Sequence, residues 1–221
     1  MVTVRRRVGI LGTSANPLHA GHIALARTAK HVLRLDEVVL MVDPQNPLKD
    51  VRNTASVEHR LALARLALQD EGTKGAGLSV SDFEVALRAM GHRDGTAGML
   101  RAYAEAHPDV QPVWLMGADI LAELHTWGSR WEEIMEQYPV GVFGRGDNHA
   151  ALYSFAARKY SARRKLVESF SCEPGTWCLF STSVHPASST EVRRAMQAGI
   201  PPVYVSVAAY SYMCEHALYH A

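Results

Sequence analysis

The chain has 221 residues, 48% of them hydrophobic, enough for one sizeable α/β core. Lys and Arg number 23 against 22 Asp and Glu, a formal charge of +1 that advertises neither a nucleic-acid nor a membrane partner. Three cysteines (Cys172, Cys178, Cys214) form no C-x-x-C pair, no apolar leader opens the chain, and no stretch approaches the ~20 apolar residues of a membrane span; reduced thiols in a cytoplasmic protein are expected.

Residues 5–7, three arginines, read as a solvated flank of the first strand, 8–11, which stops at Gly12. A small polar loop follows, and His19-Ala20-Gly21-His22 opens an apolar-periodic helix to about residue 32. Strand, glycine loop and helix start in that order offer backbone N–H groups and the positive end of a helix dipole to an anion. Two imidazoles three residues apart at that helix mouth can face the same phosphates, so phosphate chemistry is the first expectation.

Residues 37–42 are apolar almost throughout, as suits a strand covered on both faces. Residues 44–49 read as loop. Ser56 caps a helix with Glu58 in its first turn and an apolar stripe of Val57, Leu61, Ala64 and Leu68. A short strand is expected at 78–80. Residues 84–90 read equally as helix or extended chain, with Gly91, Gly95 and Gly98 as punctuation, and 99–106 as helix. A buried strand at 112–116 ends at Gly117-Ala118-Asp119. A short helix, Trp127, a helix at 131–137 and a strand at 140–143 ending at Gly144-Arg145-Gly146 come next. The basic stretch 147–170 reads as a helix with a solvated face, and 177–180 as the last strand. Ser188 opens a helix to Gly199, and a final helix covers about 205–219. No repeat or linker divides the chain, so 1–221 reads as one domain with a C-terminal helical part from about 186. Alternating strands and helices imply a doubly wound parallel sheet with ligands at the carboxyl ends of its strands.

No G-x-G-x-x-G follows the first strand and no G-x-x-x-x-G-K-[ST] occurs anywhere, which argues against a classical dehydrogenase and a P-loop NTPase. Residues 12–22, GTSANPLHAGH, instead resemble the signature of the HxGH nucleotidyltransferase superfamily. Its histidines contact the nucleotide phosphates and stabilise charge on the α-phosphate and the departing pyrophosphate. Ser188-Ser189-Thr190 with Arg193 resembles that superfamily's S-S-T-x-[IV]-R motif. The physics agrees: hydroxyls and N–H groups at a helix start cradle phosphate oxygens, and an arginine one turn on neutralises a β- or γ-phosphate.

The middle of the chain narrows the resemblance. Residues 114–119, WLMGAD, with Trp127 are similar to the G-x-D…W segment of bacterial nicotinate-nucleotide adenylyltransferases, where the aspartate belongs to the adenosine pocket and the tryptophan stacks on the pyridine. Gly95-Thr96…Leu100 resembles that family's Y-T-x-x-T-L, whose threonine helps hold the nicotinate carboxylate. His59-Arg60 and residues 140–146 match its H-R helix and R-P-G turn, and 204–219 its closing helix. Departures from the pattern are Ala15, Gly95, Gly98, Met99, Gly128 and Gly146. Most gather at the pyridine end, where they bear on acid-versus-amide choice, and none touches the phosphate machinery.

The resemblance implies an α/β, doubly wound, Rossmann-like parallel sheet of nucleotidyltransferase type with C-terminal helices. It implies adenylyl transfer from ATP to nicotinate mononucleotide, giving deamido-NAD and pyrophosphate, with Mg²⁺ accompanying ATP and no protein metal cage. Catalytic roles fall on His19, His22 and Arg193. ATP contacts fall on Gly12, Thr13, Ser14, Gly117, Asp119, Ser188, Ser189 and Thr190, and substrate contacts on Thr96, Trp127, Lys49, Arg60 and Arg145. No nucleic acid or membrane is expected as partner, and homo-oligomerisation stays open. The alternatives are the same chemistry on nicotinamide mononucleotide or phosphopantetheine, and a nucleotide-binding module without catalysis. His216 and His220 lack a third metal ligand, and the reaction asks no general acid of Asp82, Glu84 or Asp94.

Overall fold

Six runs rich in apolar and β-branched residues, and one exposed basic pair at the edge, pair into one sheet. They are β1 (Arg6–Thr13), β2 (Glu37–Val42), β3 (Leu78–Ser81), β4 (Val110–Gly117), β5 (Val140–Gly144), β6 (Arg164–Lys165) and β7 (Trp177–Ser181), in the spatial order β3-β2-β1-β4-β5-β7-β6. The structure is a computed structural model that describes residues 5–44, 54–70, 73–128, 130–144, 149–183 and 185–220. The β1·β4, β4·β5, β5·β7 and β6·β7 pairs are all parallel, with Ile10 opposite Trp114 and Val142 opposite Leu179. The expected doubly wound α/β sheet is therefore present, and its central strands are buried on both faces, as at Val38 to Val42.

The helices are α1 (Ala20–Val32), α2 (Val57–Gln69), α3 (Phe83–Ala89), α4 (Gly95–Ala106), α5 (Ala118–Glu123), α6 (Trp131–Gln137), α7 (His149–Leu152), α8 (Phe155–Lys159), α9 (Ser189–Gln197) and α10 (Val207–Glu215). Several expectations change. Residues 83–89 settle as helix, and α4 starts at Gly95 rather than Met99. Gly98 does not break α4. A Cβ there would lie 2.2 Å from that of Asp94, so the position admits only glycine while Asp94 stays where it is. The basic stretch 147–170 is not one helix. Within its described part Ser154 caps a fresh start at α8, two 3₁₀ turns follow, and the two-residue strand β6 lies between them. The final helix stops at Glu215, and the chain turns through Ala217 and Tyr219 at positive φ (48° and 61°).

The described residues form two compact units. Residues 5–11, 28–38 and 91–183 make one, with Val8, Ile10, Val113, Leu115, Val140, Val142 and Trp177 in its core. Residues 12–27, 39–90 and 185–220 make the other, in which Leu63, Val192, Met196, Ala209 and Met213 of α2, α9 and α10 form a closed apolar cluster.

Candidate active site

In the second unit the chain leaves β1 through an exposed Gly12. Thr13 braces the turn: its Oγ1 accepts from the Ala15 N–H at 3.1 Å and its carbonyl from the Asp43 N–H at 3.0 Å. Ala15 is fully buried at φ 46°, a left-handed conformation that a small side chain tolerates better than a bulky one. The two histidines then meet at the mouth of α1. His19 is 6% exposed, and its Nδ1 accepts the Gly21 N–H at 3.1 Å. The His22 Nδ1 faces the His19 N–H at 3.4 Å, and the ring centroids lie 4.0 Å apart. With Nδ1 accepting, the neutral tautomer of either ring carries its proton on Nε2.

Gly21 makes this geometry possible. A Cβ on it would come within 3.0 Å of the His19 ring and 3.4 Å of the Ala187 carbonyl. The start of α1 is not the open row of amides expected from sequence: the Ala20 N–H donates to the Tyr204 carbonyl at 2.9 Å and the Gly21 N–H to His19. A histidine that caps its own helix takes up a donor that would otherwise face an anion.

The two distant motifs come together in this unit. Arg193 Nη1 donates to the Asn16 carbonyl at 2.7 Å, and Ser189 Oγ to the Pro17 carbonyl at 3.1 Å. Ser188 is the N-cap of α9, its Oγ accepting the Glu191 N–H at 3.1 Å. Thr190 is exposed, and its Oγ1 accepts from Arg193 Nη2 at 3.3 Å. The helix start, its hydroxyls and its arginine thus flank the loop that carries the histidines.

Arg60 corrects an expectation. It is 2% exposed and turns inward: Nε donates to the Ala55 carbonyl, Nη1 to those of Ser14 and Asp43, and Nη2 to that of Pro44, at 2.7–3.1 Å. Five fixed donors on a planar fork suit the gathering of several carbonyls, so Arg60 braces the loop instead of reaching a substrate phosphate. Asn16 went unread as a site residue. Its Oδ1 accepts both the Ala55 N–H at 3.1 Å and the Tyr219 hydroxyl at 2.8 Å. Pairings over 39 and 203 residues leave no local signal. Beside this cluster, burial first and the Asp43 charge second push the Glu84 carboxyl up to about 7, against the pull of Arg88.

In the first unit, β4 ends at Gly117 and Asp119 stands exposed in the first turn of α5. A Cβ on Gly117 would lie 2.1 Å from Asp119 Oδ1, so the G-x-D spacing lets the carboxylate fold over the strand end. Thr96 lies in the first turn of α4, half-buried. Asp94, just before it, pairs with Arg130 at 2.9 Å, which ties this turn to the segment after Trp127. Trp127 is 40% exposed, so it is no core residue. Lys49, Arg145 and Gly146 lie outside the described residues. Among the described residues no three His, Cys, Asp or Glu side chains gather as a metal cage, and no helix is long and apolar enough to cross a membrane.

Comparisons with known proteins give the chain's family and confirm its fold. The cytidylyltransferase-like family profile matches residues 10–195. The probable nicotinate-nucleotide adenylyltransferase of Caulobacter sp. (strain K31) is 35% identical over 193 residues, 85% of this chain and 96% of that protein. Its namesake in Ruegeria sp. (strain TM1040) is 38% identical over the same shares. Among solved structures, a Plasmodium falciparum nicotinic acid mononucleotide adenylyltransferase complexed with NaAD superposes with a TM-score of 0.70, over 97% of each chain at 14% identity, a likeness of fold.

Proposed function

The chain belongs to the nicotinate-nucleotide adenylyltransferases of the cytidylyltransferase-like family, and from that membership we propose that it transfers the adenylyl group of ATP to nicotinate mononucleotide, releasing deamido-NAD and pyrophosphate. One observation carries the assignment of the phosphate site. Arg193 and Ser189 are bonded to the backbone of Asn16 and Pro17, in the loop that ends at His19.

A phosphate oxygen of the mononucleotide attacks the α-phosphorus, and the bond to the β-phosphate breaks. That phosphate is already ionised at neutral pH, so the protein's task is positioning and electrostatic stabilisation, not deprotonation. His19 and His22 direct Nε2 donors at phosphate oxygens as charge develops, while Arg193 and Thr190 face the departing pyrophosphate. Gly12, Thr13 and Ser14 line the loop beside the triphosphate, and Ser188 and Ser189 hold the start of α9 against it. Gly117 and Asp119 serve the adenosine, Trp127 stacks on the pyridine, and Thr96 takes its carboxylate. Lys49 and Arg145 complete the substrate contacts.

Members of this family typically use a divalent metal. Mg²⁺, when bound with ATP, would neutralise charge on the nucleotide's phosphates, and no protein carboxylate set is assigned to it. With Cys178 pushed up to about 12 and Cys172 also raised, both by burial, the unpaired cysteines suit a reducing cytoplasm.

The test mixes ATP with nicotinate mononucleotide, nicotinamide mononucleotide or phosphopantetheine and follows pyrophosphate together with the adenylylated product. The nicotinate acceptor is expected to be fastest, and His22→Ala to cut kcat about a hundredfold or more with the fold intact. Tight ATP binding without turnover on any acceptor would remove the catalytic reading. Wild-type kinetics in His22→Ala would remove the phosphate role.

A further inference from the structure

The last turn of the chain reaches back to the loop that carries the histidines. After α10 ends at Glu215, Ala217 and Tyr219 adopt positive φ, and the Tyr219 hydroxyl arrives 2.8 Å from Asn16 Oδ1. Leu218 and Tyr219, both partly buried, pack on the Leu63–Val192–Met196–Ala209–Met213 cluster, so the hydroxyl is delivered by an anchored residue and not by a loose tail. Asn16 is the crossing point. Its carbonyl takes Arg193 and its side chain takes Ala55 and Tyr219, while Arg60 binds Ala55 from one side and Ser14 from the other. Burial, opposed by the charges of Arg193 and Arg60, holds the phenol well above its usual range, so it remains a donor at any working pH.

We propose that Tyr219 is a positioning residue for adenylyl transfer: through Asn16 its hydroxyl sets the loop that places His19 and Arg193 on the phosphates. The proposal rests on the reaction assigned above. Tyr219 itself touches no reacting atom. Its effect should therefore fall on the alignment of the transition state, where a misplacement on the order of 1 Å costs about a hundredfold. Ground-state binding of ATP is expected to change little.

The experiment compares wild type, Tyr219→Phe, Asn16→Ala and the double variant. Tyr219→Phe is expected to lower kcat by about tenfold to a hundredfold, with KM for ATP and for the mononucleotide within roughly twofold and the thermal midpoint nearly unchanged. In the Asn16→Ala background the Phe substitution is expected to add nothing, because the loss of Asn16 Oδ1 already removes the bond that Tyr219→Phe breaks, along with the one to Ala55. That comparison holds even where each single variant is less stable. Hydrogen exchange at the Ala15 and Ala55 amides is expected to quicken in Tyr219→Phe while amides of β4 and β5 stay protected. A wild-type kcat, a loss explained by a fallen midpoint, or additive effects in the cycle would overturn the proposal. If wild type itself makes no dinucleotide while those two amides still loosen in Tyr219→Phe, the bracing of the loop stands and the assigned reaction is what fails.

Discussion

At the scale of single residues, two glycines make room for neighbouring polar side chains. Gly21 leaves space for the His19 ring, and Gly117 for the Asp119 carboxylate. Both are glycines for clearance, the closest atoms in each case belonging to the His19 or Asp119 side chain. Glu84 shows the opposite economy, a carboxyl kept partly out of water beside Asp43. Its pKa rises from 4.5 to about 7 on folding, so the folded protein holds the proton more tightly than the unfolded chain between those values. Stability therefore falls as pH rises from 4.5, and the penalty is complete above 7. Glu84→Gln is expected to be more stable than wild type at pH 8, by on the order of 2 kcal/mol, and equal to it near pH 4.5. Urea unfolding at the two pH values measures the difference.

Among the elements, serine is the recurring start signal. Ser56, Ser154, Ser188 and Ser206 each accept a hydrogen bond from the backbone N–H three residues on, opening α2, α8, α9 and α10. A serine before an apolar-periodic run is legible in sequence, which is why α2 and α9 were read within a residue of their starts. The same signal at Ser154 lies inside a basic stretch whose composition reads as one helix. At α10 the cap is Ser206, and the helix starts at Val207, two residues past its expected start at about 205. Ser206→Ala removes the bond to the Ala209 N–H and is expected to lower stability by about 1 kcal/mol, read from the urea midpoint. Because α10 anchors Tyr219, that variant also tests how far the helix start controls the final turn.

For the whole molecule, ligand binding and stability are linked. ATP at about a hundred times its Kd is expected to stabilise the fold by ~2.7 kcal/mol, seen as a higher thermal midpoint. Arg193→Ala should shrink that shift at the same ATP concentration. Fold class, family and phosphate chemistry were readable from the chain because they follow from local facts: runs of apolar residues, helix starts, and two motifs whose residue types suit anions. The inward turn of Arg60, the histidine capping of α1 and the arrival of Tyr219 at Asn16 were not readable. Each depends on which backbone carbonyl or side chain lies opposite a donor after folding, and sequence spacing does not encode that. Local order determined what kind of protein this is, and packing across as many as 203 residues decided which donors and acceptors hold the loop that carries the histidines.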